Sequence, residues 1–129
     1  MSQNQESGAR ANRYGREYGG KIAAALGATK KRAGSNECVL NGEAISIKCA
    51  KLDTDRVGVY TSVLSRIVAV LGAFETVTNG PYDVYRLSKG QFRDNMVIKQ
   101  AGKPNEQGQV IRSVFERDGI KVASSLNVD

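Results

Sequence analysis

The pair Asn41-Gly42, set between two β-prone runs, constrains this chain more than any other feature. Asn-Gly takes the left-handed backbone of a two-residue turn at little steric cost, so the flanking runs pair as an antiparallel hairpin. The strands are expected at 35–40 and 43–51. In the second, Ile45, Ile47 and Cys49 alternate with Ser46, Lys48 and Ala50, the pattern of a strand with one buried face. A two-residue turn sets Glu37 opposite Ser46, Ser35 opposite Lys48 and Cys38 opposite Ile45. Directly opposed side chains share a face. Ser35, Glu37, Val39, Ala44, Ser46 and Lys48 therefore line one side of the hairpin. In the same register Cys49 faces Gly34, leaving the two cysteines roughly 13 Å apart along the ladder. A disulfide needs Cα atoms within about 7 Å. Both are expected as reduced, buried thiols, which suits a cytoplasmic protein.

The remaining pattern fills out a single α/β domain, the usual outcome for 129 residues. Tyr14, Tyr18, Ile22, Ala25 and Leu26 recur at helical spacing, and Gly27 reads as a stop. Gly19 and Gly20 inside that helix either allow close packing or mark a break. After the hairpin, Asp53, Thr54 and Asp55 supply helix-start residues. Val59, Val63, Leu64, Ile67, Val70, Leu71 and Phe74 then follow at three- and four-residue steps, predicting the chain's main helix, closed near Gly72. Asn79-Gly80-Pro81 is a turn, 82–87 a strand, and Ser88 with Gln91 a capping box for a short helix reaching 96. A loop over 101–109 precedes a second hairpin, 110–115 and 120–128, turning at Asp118-Gly119. The expected fold is a central mixed sheet with flanking helices over 14–129, behind a flexible basic tail at 1–13.

Charge is concentrated at one end. Residues 1–32 carry seven Lys or Arg against two Glu, nearly all of the chain's net +6. Such a block favours an anionic partner, nucleic acid first, and names Arg10, Arg13, Arg16, Lys30, Lys31 and Arg32 as phosphate contacts. No membrane partner is expected: the most apolar stretch, 67–74, is far short of the ~20 residues a membrane helix needs. The polar start MSQNQESGAR carries no apolar core of a secretory leader.

With no histidine, the chain has no Ser-His-Asp triad, His-based zinc site or His general base. Neither glycine-rich phosphate-loop fingerprint occurs. Carboxylate and lysine chemistry remains, with or without a hard metal. On the hairpin face Glu37, Ser46 and Lys48 fall within side-chain reach of one another. Glu17 lies at the margin of the first helix's apolar stripe, where it could point at Glu37. Two carboxylates with carbonyl oxygens make a plausible Mg²⁺ site, and such an ion can activate water against a phosphodiester.

These residues carry a family resemblance. Gly15-Arg-Glu17, Ala-Leu-Gly, Ser35-Asn-Glu37, Asn41-Gly42 and Ile45-Ser-Ile-Lys48-Cys-Ala together resemble the core of PD-(D/E)xK nucleases, the fold of restriction endonucleases and archaeal Holliday-junction resolvases. The resemblance covers roughly 15–87. It implies a restriction-endonuclease-like core in which Glu17 is the helix carboxylate, Glu37 the acid of the first motif strand and Lys48 the motif lysine, with Glu17 and Glu37 holding Mg²⁺. The chain departs from the family at Ser46, where an acid stands two residues before the lysine, and at Asn36-Glu37 in place of Pro-Asp. Glu17 or Glu43 would then have to compensate, or the fold binds without cutting. The family also places a further strand before the hairpin, for which 27–34 offers little room.

Three functions follow as expectations: a Mg²⁺-dependent nuclease using Glu17, Glu37, Ser46 and Lys48; a non-catalytic nucleic-acid binder, for DNA ahead of RNA; and an assembly protein pairing through its C-terminal hairpin. Ser46 favours the second over the first. Self-association stays open. Tyr82, Tyr85 and Asp83, on one predicted strand, have a weaker claim to base or metal contact.

Overall fold

The computed structural model describes residues 17–31, 37–78 and 80–128, and begins in helix α1, covering 17–26. Gly27, at φ +80°, closes it in the left-handed conformation that a side chain resists. Ile22 and Ala23 are buried with Tyr18 and Leu26 packed beside them, whereas Ala25, expected in the apolar stripe, is exposed. Gly20, inside the helix, serves close packing. A Cβ on Gly20 would lie 3.1 Å from Nζ of Lys30, so the lysine side chain meets the helix there.

Strand β1 (Thr29–Lys30) pairs antiparallel with β2 (Glu37–Leu40), supplying a short strand ahead of the hairpin. Asn41 (φ 52°) and Gly42 (φ 79°) turn the chain into β3 (Glu43–Ala50). The register is the expected one, with Glu37 opposite Ser46 and Cys38 opposite Ile45.

The segment expected as the main helix folds differently. It is strand β4 (Arg56–Tyr60), one short helix α2 (Thr61–Leu64) and strand β5 (Ala69–Glu75). β5 is buried at every position, lying parallel to β3 and antiparallel to β6 (Tyr82–Ser88). Ala69, Leu71 and Ala73 meet the α1 layer, while Val70 and Phe74 meet the opposite one. A strand covered on both faces shows no alternation, so its apolar run fits helical steps equally well.

Ser88 caps α3 (Lys89–Asn95) with the expected reciprocal box: its hydroxyl accepts from the Gln91 amide while the Gln91 side chain accepts from the Ser88 amide. Next come β7 (Val97–Lys99), β8 (Gln107–Ile111), α4 (Arg112–Asp118) and β9 (Ile120–Leu126). The expected C-terminal hairpin does not form. Helix α4 intervenes, and β9 pairs with β6 instead of β8. That removes the hairpin on which the assembly reading rested. β9 ends the sheet with two register shifts and a positive φ at Ser125, irregularities that disfavour further strand pairing.

Among the described residues the fold is one small mixed α/β domain. A six-stranded mixed sheet runs β1-β2-β3-β5-β6-β9, and a three-stranded sheet runs β4-β8-β7. Helix α1 covers one face of the large sheet over Cys38, Ile45, Ile47 and Leu71. The small sheet and the short helices cover the other through Val57, Val59, Leu64, Phe92, Val110 and Phe115. No helix among the described residues is long and apolar enough to cross a membrane.

Candidate functional site

Strand alternation puts Glu37, Ser46 and Lys48 on the sheet face turned towards the small sheet. Glu37 (4% exposed) and Ser46 (1%) are buried and directly opposed. A carboxylate so placed needs a partner, and Arg66, just beyond α2, provides one. It donates from Nη2 to Oε1 and, at 3.4 Å, from Nε to Oε2 of Glu37. A further bond of 3.0 Å from its Nη1 to the Ser62 carbonyl fixes the guanidinium. The hydrogen bond to Glu37 raises the Arg66 pKa above its ordinary value.

Lys48 lies two residues along β3, opposite Gly72 of β5. Its side chain is half-buried and lines a cavity of about 220 Å³ with Gly58, Tyr60 and Gln107 of the small sheet. Burial pushes the Lys48 ammonium below the ordinary lysine range, and the one electrostatic influence opposing this comes from Cys49. No carboxylate among the described residues pairs with it. A Cβ on Gly58 would overlap Oε1 of Gln107, so any side chain there would displace the glutamine. The glutamine amide thus lies over bare backbone at the cavity edge, and Oε1 also accepts from Nε2 of Gln109 at 3.4 Å.

The other expected residues are placed elsewhere. Glu17 is on α1, which packs against the opposite face of the large sheet, and its carboxylate meets Lys21 at 3.6 Å. The structure does not bring it to Glu37. Glu43 pairs with Arg86 at 3.3 Å. Lys30 sits opposite Cys38 on the α1 side, away from Lys48, and Lys31 is exposed beyond it. Tyr82 is fully buried and packs on Tyr18; Tyr85 packs on Phe74. Asp83 accepts from the Ser125 amide and pairs with Lys121, so it ties down β9. Arg10, Arg13, Arg16, Arg32, Ser35 and the tail 1–13 lie outside the described residues.

The donor set is poor for Mg²⁺. It offers one carboxylate already gripped by a guanidinium and one hydroxyl, against the several oxygens such an ion takes. No group of three or more His, Cys, Asp or Glu that could hold a metal occurs among the described residues. An anion fits the arrangement better: an unpaired ammonium faces a polar cavity whose other walls are an amide, a phenol and open backbone.

Arg66, Gly58, Tyr60 and Gln107 were not legible as site residues. All four belong to β4, to α2's exit or to β8, elements that the helical reading after 53–55 and the loop reading of 101–109 concealed. No disulfide joins Cys38 and Cys49, as expected. Burial, first of all, pushes Cys49 up to about 12, against the pull of Lys48. No protein-family model matches the chain, and no curated protein matches it in sequence.

Proposed function

We propose that the protein binds nucleic acid on a restriction-endonuclease-like core, with Lys48 contacting a backbone phosphate, and that it binds without cutting. The observation that carries this is the Lys48 ammonium, half-buried at a polar cavity and lacking a carboxylate partner among the described residues. An ammonium kept in so costly a position suits an arriving anion. The basic block at 1–32 supports the same partner through long-range attraction. The resemblance is supported by the mixed sheet, by β1 ahead of the hairpin, and by Glu37, Ser46 and Lys48 in line on one face. Cleavage is disfavoured by Ser46 in place of an acid, by Arg66 on Glu37, and by Glu17 on the far face.

Labelled single- and double-stranded DNA and RNA, incubated with the protein in Mg²⁺ or in EDTA, test the reading. Retarded but intact nucleic acid is expected, equal in EDTA, with affinity falling steeply as salt rises. Lys48→Ala should weaken it. Mg²⁺-dependent cleavage lost in Lys48→Ala and Glu37→Ala would replace this reading with a nuclease. Absence of retardation at low salt would remove nucleic acid altogether.

A further inference from the structure

The small sheet has an inner and an outer face. Val57, Val59 and Val110 enter the core. The residues between them, paired as Gly58 with Gln109 and Tyr60 with Gln107, must point the other way. Lys99 of β7, opposite Gln107, joins them, and Arg56 lies at the far end of β4. Tyr60 is 48% exposed, and Arg56 and Lys99 are exposed as well. This outer face opens directly onto the Lys48 cavity, since Gly58, Tyr60 and Gln107 line both.

Its chemistry is selective. Lys48 and Lys99 contribute positive charge with no ion pair among the described residues, and Arg56 adds a guanidinium beside Asp55. The neighbouring acids are engaged: Asp55 with Arg56, and Glu106 with the Thr61 hydroxyl and the Gly102 amide. Gln107 and Gln109 bond to one another through one group each. Their remaining amide groups can donate to and accept from a ligand, as a nucleobase edge requires. Tyr60 presents an exposed ring on the same surface, and aromatic side chains on a sheet hold bases by stacking. In a duplex the base faces are already stacked and out of reach of such a ring. A duplex is read instead by an element entering a groove.

The geometry points to the outer face of the β4-β8-β7 sheet as a platform for a single nucleic-acid strand. Tyr60 stacks on an unpaired base, Gln107 and Gln109 bond its edge, and Lys48 and Lys99 hold flanking phosphates. The inference rests on the nucleic-acid reading above and names its substrate class: single-stranded, not duplex.

The test measures fluorescence anisotropy with a labelled mixed-sequence strand of DNA, its RNA equivalent, and each annealed to its complement, all in EDTA. The full chain is compared with Tyr60→Ala, Tyr60→Phe and Lys99→Ala. A single strand of DNA or RNA should bind more tightly than its duplex. Tyr60→Ala should weaken that binding roughly tenfold, with Tyr60→Phe close to wild type because the stacking surface is kept. Lys99→Ala should lower the salt dependence by about one phosphate contact. Duplex bound as tightly as single strand, or a Tyr60→Ala chain that binds the strand like wild type, would overturn the platform and leave the broader reading standing. Failure to bind any of the four at low salt would overturn both.

Discussion

Lys48→Met separates binding from stability, because burial of the ammonium costs the fold while the proposed function gives it a use to a ligand. Methionine keeps the unbranched stem that packs along the cavity and removes the charge. A charge-assisted contact to phosphate is worth about 1.5–3 kcal/mol, so losing it should weaken nucleic-acid binding by roughly 10- to 150-fold. Stability should move the other way. A half-buried charge without a partner carries a desolvation cost, so the variant should be equal to wild type or more stable by up to about 1 kcal/mol. In a chain of 129 residues that is a rise of a few degrees in Tm. The pH dependence has a definite sign. Lys48 titrates below the ordinary lysine value in the folded protein, so the penalty is full below that lowered pKa. It is relieved as pH rises from there to the unfolded-state value, about 10.4. The stability advantage of Lys48→Met should therefore shrink as pH is raised through this window. Thermal melts at neutral and alkaline pH, paired with anisotropy, measure both effects. A variant melting several degrees below wild type at pH 7 would refute the reasoning, by showing that Lys48 holds the fold together.

Gly72→Ala should destabilise by about 1–3 kcal/mol in urea unfolding, because the new methyl would lie 2.9 Å from the rings of both Phe115 and Phe74. Phe115→Leu in the same chain should recover part of that loss. Ser88→Ala should cost about 1 kcal/mol by removing the cap of α3, with nucleic-acid affinity unchanged. At pH 8 neither cysteine should react with a thiol reagent in the native state, since burial pushes Cys49 up to about 12 and raises Cys38 as well. Both should react on unfolding, and rapid native-state labelling of either would contradict the placement.

Local chemistry made part of this protein readable from its residues. Asn41-Gly42 determined a hairpin and its register, and with it the alignment of Glu37, Ser46 and Lys48. Ser88 and Gln91 determined the start of α3, and Gly27 the end of α1. In each case a few adjacent residues admit one low-energy backbone, so no distant contact is needed to choose it. β5 was beyond such reading. Its residues became a strand because β3 and β6 pair with its two edges and apolar layers cover both its faces, none of which its own periodicity records. The same holds at 112–118, which turns as a helix so that Phe115 can fill the space over Gly72 and β9 can reach β6. The site divides along this line. Lys48 was visible because it alternates within one strand; Arg66 on Glu37, and the meeting of Gly58, Tyr60 and Gln107 at the lysine's cavity, came only from packing two sheets together. Contacts between residues dozens of positions apart are set by the free energy of the whole core, and no local pattern carries them.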